Sequence, residues 1–88
     1  MKTIWKFELD TAQYTEIEMP TGAEILTAHI QNEVMRLWAQ VDSEAHKETR
    51  TFEAVGTGAL LSDAPRKYIG TVQTAGGHYV LHVFELLL

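Results

Sequence analysis

Apolar and polar residues alternate with a period of two along most of this chain, and that period belongs to half-buried β-strands. In "TIWKFEL", Trp5, Phe7 and Leu9 fall on one face and Lys6 and Glu8 on the other. "YTEIEM" repeats the pattern, with Thr15, Ile17 and Met19 against Glu16 and Glu18, and Pro20 and Gly22 mark a turn after it. "EILTAHIQ" and "VMRLWAQVD" follow, joined at Asn32-Glu33. A two-residue hairpin loop pairing Gln31 with Val34 sets Ile30 opposite Met35, Ala28 opposite Leu37 and Leu26 opposite Ala39. That face is wholly apolar. The other carries Ile25, Thr27 and His29 against Gln40, Trp38 and Arg36, and a slip of one residue destroys the segregation. Glu33 suits a left-handed turn position poorly, so a four-residue loop in the same register is a second possibility.

Charge interrupts the alternation at "SEAHKE", a predicted loop, and "TRTFEAV" resumes it. "GTGALLSDAPRK" reads as a long connection. "KYIGTVQTA" and "HYVLHVFEL" flank Gly76-Gly77, a hairpin signal that sets Val72 opposite Leu81, Gly70 opposite Val83 and Ile69 opposite Phe84. The expected architecture is all-β: a small antiparallel β-sandwich or partly open barrel of about seven strands, in one domain over residues 1–88. A helix competes only over "AEILTAHIQNEVMRLWAQ", where Leu26, Ile30, Val34 and Leu37 approach helical spacing. The expected core is Trp5, Phe7, Leu9, Ile17, Leu26, Ala28, Ile30, Met35, Leu37, Ala39, Phe52, Val72, Leu81 and Val83.

Composition narrows the chemistry. With no cysteine there is no disulfide, thiolate zinc site or cysteine nucleophile. Seven Lys and Arg against twelve Asp and Glu leave a net charge of −5, which argues against nonspecific nucleic-acid binding. No apolar run reaches the length of a signal peptide or a membrane span, so a soluble cytoplasmic protein is expected.

His78 and His82 stand four residues apart, a spacing that would share a metal on a helix. On the strand that "GGHYVLHVF" predicts, they are about 13 Å apart, too far for one ion. His82 is expected opposite Thr71 and His78 at a solvated hairpin tip. No metal, cofactor or catalytic residue is assigned. Ser62, Asp63 and Pro65 read as a polar turn and not as part of a hydrolytic triad, for want of an elbow or oxyanion donors. Glu16 with Glu18 reads as a charged strand edge.

The predicted ligand- or partner-binding residues are Thr27, His29, Arg36, Trp38 and Gln40, which share the polar face of the central hairpin. Trp and Arg dominate binding hot spots, and a guanidinium beside an indole also suits a base or a phosphate. The C-terminal strand is apolar on both faces and runs into Leu86, Leu87 and Leu88, so a homodimer or larger homo-oligomer is expected.

"MKTIWKFEL", "IEMPTGAEIL", "LWAQVD", "ETRTFEAVGTG" and "YIGTVQTAGGHYVLHVFE" together resemble a family of small uncharacterised phage and prophage proteins, a domain of unknown function. The resemblance implies a phage origin and transfers no catalytic residue. By class association it implies a non-enzymatic binding module that blocks or sequesters a host factor in the bacterial cytoplasm. The alternatives are an oligomeric sponge for a nucleotide signalling molecule and a minor virion or assembly component.

Overall fold

A computed structural model describes residues 1–10 and 13–88. It contains seven strands: β1 Lys2–Glu8, β2 Tyr14–Pro20, β3 Glu24–Gln31, β4 Val34–Asp42, β5 Lys47–Gly56, β6 Arg66–Thr74 and β7 Tyr79–Leu86. All pairings are antiparallel. One sheet has the order β1-β4-β3 and the other β2-β5-β7-β6, so the chain crosses between layers after β1, β2 and β4. Among the described residues no ladder joins the sheets, and the architecture is a sandwich instead of a closed barrel. The helix that competed over the central segment does not form; a single 3-10 turn, Ala75–Gly77, is the one helical element among the described residues.

The alternation has its expected consequence. Ala28, Met35, Leu37, Ala39 and Val41 from one sheet meet Ile17, Met19, Phe52, Val72 and Val83 from the other, all buried. At one side β3 and β6 close the layers together, and a side chain at Gly70 would touch the backbone of Ala28 at 3.9 Å.

The central hairpin keeps its predicted register from Gln31↔Val34 through Thr27↔Trp38. A β-bulge then shifts the register between Ile25 and Thr27, so Ile25 and not Leu26 faces Ala39. Leu26 is therefore not a core residue: it is 46% exposed, while Ile25 packs against the core. A bulge adds one residue to one strand and reverses the alternation beyond it. The expected cost of Ile25→Ala is about 2 kcal/mol and that of Leu26→Ser under about 0.5 kcal/mol, read by urea denaturation. An unbulged strand would invert that order. The β6–β7 hairpin behaves alike, with Val72↔Leu81 and Gly70↔Val83 as expected and a bulge between Tyr68 and Gly70. Tyr68, and not Ile69, lies opposite Phe84.

Both hairpin loops are tight. Gly76 and Gly77 have φ 68° and 93°, which glycine adopts without strain. Asn32 and Glu33 occupy the same region at φ 50° and 66°, so the two-residue loop forms and the four-residue alternative does not. The geometry suits Asn and opposes Glu, because a Cβ in the left-handed region crowds the following carbonyl. Glu33→Gly should stabilise the fold by about 1 kcal/mol, raising Tm by about 4–8 °C.

Two ion pairs within the larger sheet complete the framework. Arg50 donates from Nε and Nη2 to both oxygens of Glu85, at 2.6 and 2.7 Å, on the inner face, and its Nη1 donates to the Ala23 carbonyl at 2.6 Å. Glu85 holds the Arg50 guanidinium above its usual pKa, so the guanidinium stays charged at any ordinary pH. On the outer face, Glu53 is 2% exposed and accepts from Arg66 Nε at 3.1 Å. Arg66 also donates to the Ser62 carbonyl and Oγ and stacks over Phe84, which anchors the 57–65 connection across that face.

Candidate functional site

The central hairpin and β1 build the outer face of the three-stranded sheet. With one side of β4 committed to the core, its other side must carry Arg36, Trp38 and Gln40. Residues opposite them on β3 are His29 and Thr27, and the bulge leaves Gln40 opposite Glu24. Thr27, His29, Arg36, Trp38 and Gln40 thus come together on one surface. Pairing with β1 adds Glu8 opposite Arg36, Lys6 opposite Trp38 and Ile4 opposite Gln40. Sequence reasoning placed Lys6 and Glu8 on the polar side of β1, but the pairing that brings them here joins segments about thirty residues apart, which alternation alone does not reveal.

The side chains on this face are organised. Gln31 Oε1 accepts from Arg36 Nη1 at 2.7 Å and from Lys6 Nζ at 3.1 Å, so one amide oxygen holds two cations together. Arg36 Nη2 lies 3.7 Å from Glu8 Oε1, and the side chain is only 14% exposed. Its Nε is buried and has no hydrogen-bond partner among the described residues. The rings of His29 and Trp38 sit 6.4 Å apart at 59°, a tilted contact that holds the indole beside an exposed imidazole. Ile4 is 58% exposed at the margin. Trp and Arg are among the residue types enriched at interface cores.

This surface is an open sheet face: its five predicted residues line none of five clefts found among the described residues. Two clefts of about 480 and 540 Å³ lie instead near the Gly22 turn and share Arg50, Lys67 and Glu85. Their central guanidinium is already committed to Glu85 and the Ala23 carbonyl, so an anion there would have to displace a carboxylate.

His82 lies opposite Thr71, as expected, on the outer face of the other sheet. Its Nδ1 is 3.0 Å from Thr71 Oγ1, and its Nε2 is 2.8 Å from Thr57 Oγ1; Tyr68 Oη extends the chain to Thr71 at 2.6 Å. Both ring nitrogens are thus occupied by hydroxyls, an arrangement that fixes the 57–65 connection. His78 is exposed beyond the hairpin turn. Among the described residues no group of three or more His, Asp or Glu is placed to hold a metal ion. Ser62 caps Ala64 N–H and receives Arg66, as befits a turn. Among the described residues no helix is long and apolar enough to cross a membrane.

Residues 1–87, which span every strand described above, match a domain of unknown function, DUF7352. The chain belongs to that family. No curated protein and no solved structure matches it.

Proposed function

We propose that this DUF7352 chain is a non-catalytic binding module of phage origin that docks onto a host protein in the bacterial cytoplasm and blocks or sequesters it. The observation that carries the reading is the gathering of Trp38, His29, Arg36, Lys6 and Gln31 on one open sheet face. Small-molecule sites are concave and enclose most of their ligand, whereas protein partners meet on flat surfaces with buried Trp and Arg at the centre. An open face therefore favours a macromolecular partner over a nucleotide sponge. The phage origin rests on the sequence resemblance. A nucleotide would need a second copy to wall in the face, and a virion role has no distinguishing feature on the surface.

Native mass spectrometry of the protein purified from expressing bacteria tests the reading. A retained host protein, lost on Trp38→Ala with the fold intact, supports it. A retained nucleotide, or a partner indifferent to Trp38, rejects it.

A further inference from the structure

The two free sheet edges on the open side of the sandwich are built in opposite ways. In an antiparallel ladder, alternate residues turn their N–H and C=O toward the neighbour and toward the free side. The bonds flanking β1 fix its phase: Leu9 N–H donates to the Met35 carbonyl at 2.9 Å, and Ser43 N–H donates to the Met1 carbonyl at 2.9 Å. Odd-numbered residues therefore face β4, and Lys2, Ile4, Lys6 and Glu8 present their backbone groups outward. The β1–β4 register runs unbroken from Lys2 to Glu8, without bulge or proline. On β2, Ala54 N–H donates to the Gln13 carbonyl at 3.0 Å and Thr21 N–H to the His46 carbonyl at 2.7 Å, so Tyr14, Glu16, Glu18 and Pro20 point outward. That edge is guarded, since Pro20 lacks an N–H and two-fold pairing about Ile17 would set Glu16 against Glu18.

We propose that β1 is a dimerisation edge, pairing antiparallel with β1 of a second copy about a two-fold axis at Trp5. Charge complementarity and the number of backbone bonds together select this register over shorter ones, such as the axis at Phe7 that pairs only Lys6 with the partner's Glu8. Only pairings that match outward residues with outward residues use the free backbone groups. With the axis at Trp5, Lys2 lies opposite the partner's Glu8, Ile4 lies opposite the partner's Lys6, and each of these pairs exchanges both backbone bonds. With the axis at Ile4, Lys2 meets the partner's Lys6. With the axis at Lys6, that residue meets the partner's Lys6. Lysines on an edge usually repel an incoming strand. Here the register that forms the most backbone bonds also neutralises Lys2 with a glutamate.

Burial across the sheet points the same way. Next door on β4, Met35, Leu37, Ala39 and Val41 are buried, yet on the inner face of β1 Trp5 and Phe7 are only half-buried and Thr3 is exposed. β2 approaches β4 across the layers, leaving β1 at the margin. Dimerisation sets Trp5 against the partner's Trp5 and Phe7 against the partner's Thr3, and it covers exposed Ile4 with a lysine stem. The two three-stranded sheets become one continuous sheet, and both Trp38 faces lie on one surface. This inference does not depend on what that surface binds. It also differs from an oligomer built on Leu86 to Leu88.

Light scattering during size-exclusion chromatography of the whole chain, at micromolar concentration, should give twice the 9.9 kDa protomer mass. Lys2→Glu and Glu8→Lys should each weaken the dimer roughly tenfold, since each turns two symmetry-related attractive pairs repulsive, and the double exchange should restore it. Ile4→Pro removes an outward N–H and spares the ladder to β4, so it should give a folded monomer. A wild-type monomer overturns the proposal. So does a dimer indifferent to both charge reversals, whether or not Ile4→Pro folds.

Discussion

Arg50→Ala should destabilise this domain by about 3–5 kcal/mol, a large part of the roughly 5–15 kcal/mol that holds a domain folded. The substitution leaves the Glu85 carboxylate buried on the inner face with its bidentate partner gone, and it strips the Ala23 carbonyl of its donor. At about 4–8 °C per kcal/mol for a domain of this size, Tm should fall by roughly 15 °C or more. The cost comes from the orphaned charge and not from any large net gain of the pair. Replacing both members with apolar residues, Arg50→Met with Glu85→Leu, should therefore recover most of the loss. Differential scanning calorimetry of the two variants reads both effects. A single substitution that is neutral would place the pair in solvent.

Trp38→Ala should have the other large effect, on binding. Central aromatic hot spots cost about 2–4 kcal/mol on truncation, roughly 30- to 1000-fold in affinity. Folding should suffer less, because Trp38 sits on the outer face while the core below it is filled by Leu37, Ala39 and Met35. Arg36→Ala should act in the same direction, and it also releases Lys6 and Gln31 from their shared contact. Affinity by calorimetric titration and stability by urea denaturation, measured on the same variants, separate the two consequences.

Alternation was enough to read the class, the central and C-terminal hairpins and most of the core, because a one-residue slip would bury charge; Met19, Ala23, Val41 and Val55 are buried core residues outside the expected set. It failed at Leu26 and Ile69, each displaced by a bulge: the first has no glycine or proline beside it, whereas Gly70 flanks the second and is the signal that could have found it. The five predicted site residues do share a face, since a single hairpin register places them there. Lys6, Glu8 and Ile4 join it because strand neighbours distant in sequence are chosen by sheet packing, which local pattern does not encode, whereas Gln31, two residues from His29 on β3, was legible from the hairpin register. The same holds for Arg50 with Glu85 and Arg66 with Glu53. Each pair is an isolated charge in sequence and becomes a buried couple only when β5, β6 and β7 assemble.

The docking we propose on the outer face of the β1-β4-β3 sheet has a direct spectroscopic test. The chain contains two tryptophans, Trp5 and Trp38, so an amide-correlation NMR spectrum carries two indole N–H signals that Trp38→Phe assigns. Titrating in the captured host protein should move or broaden the Trp38 signal at the lowest ratios. A partner that binds while the Trp38 indole stays unperturbed would contradict the account.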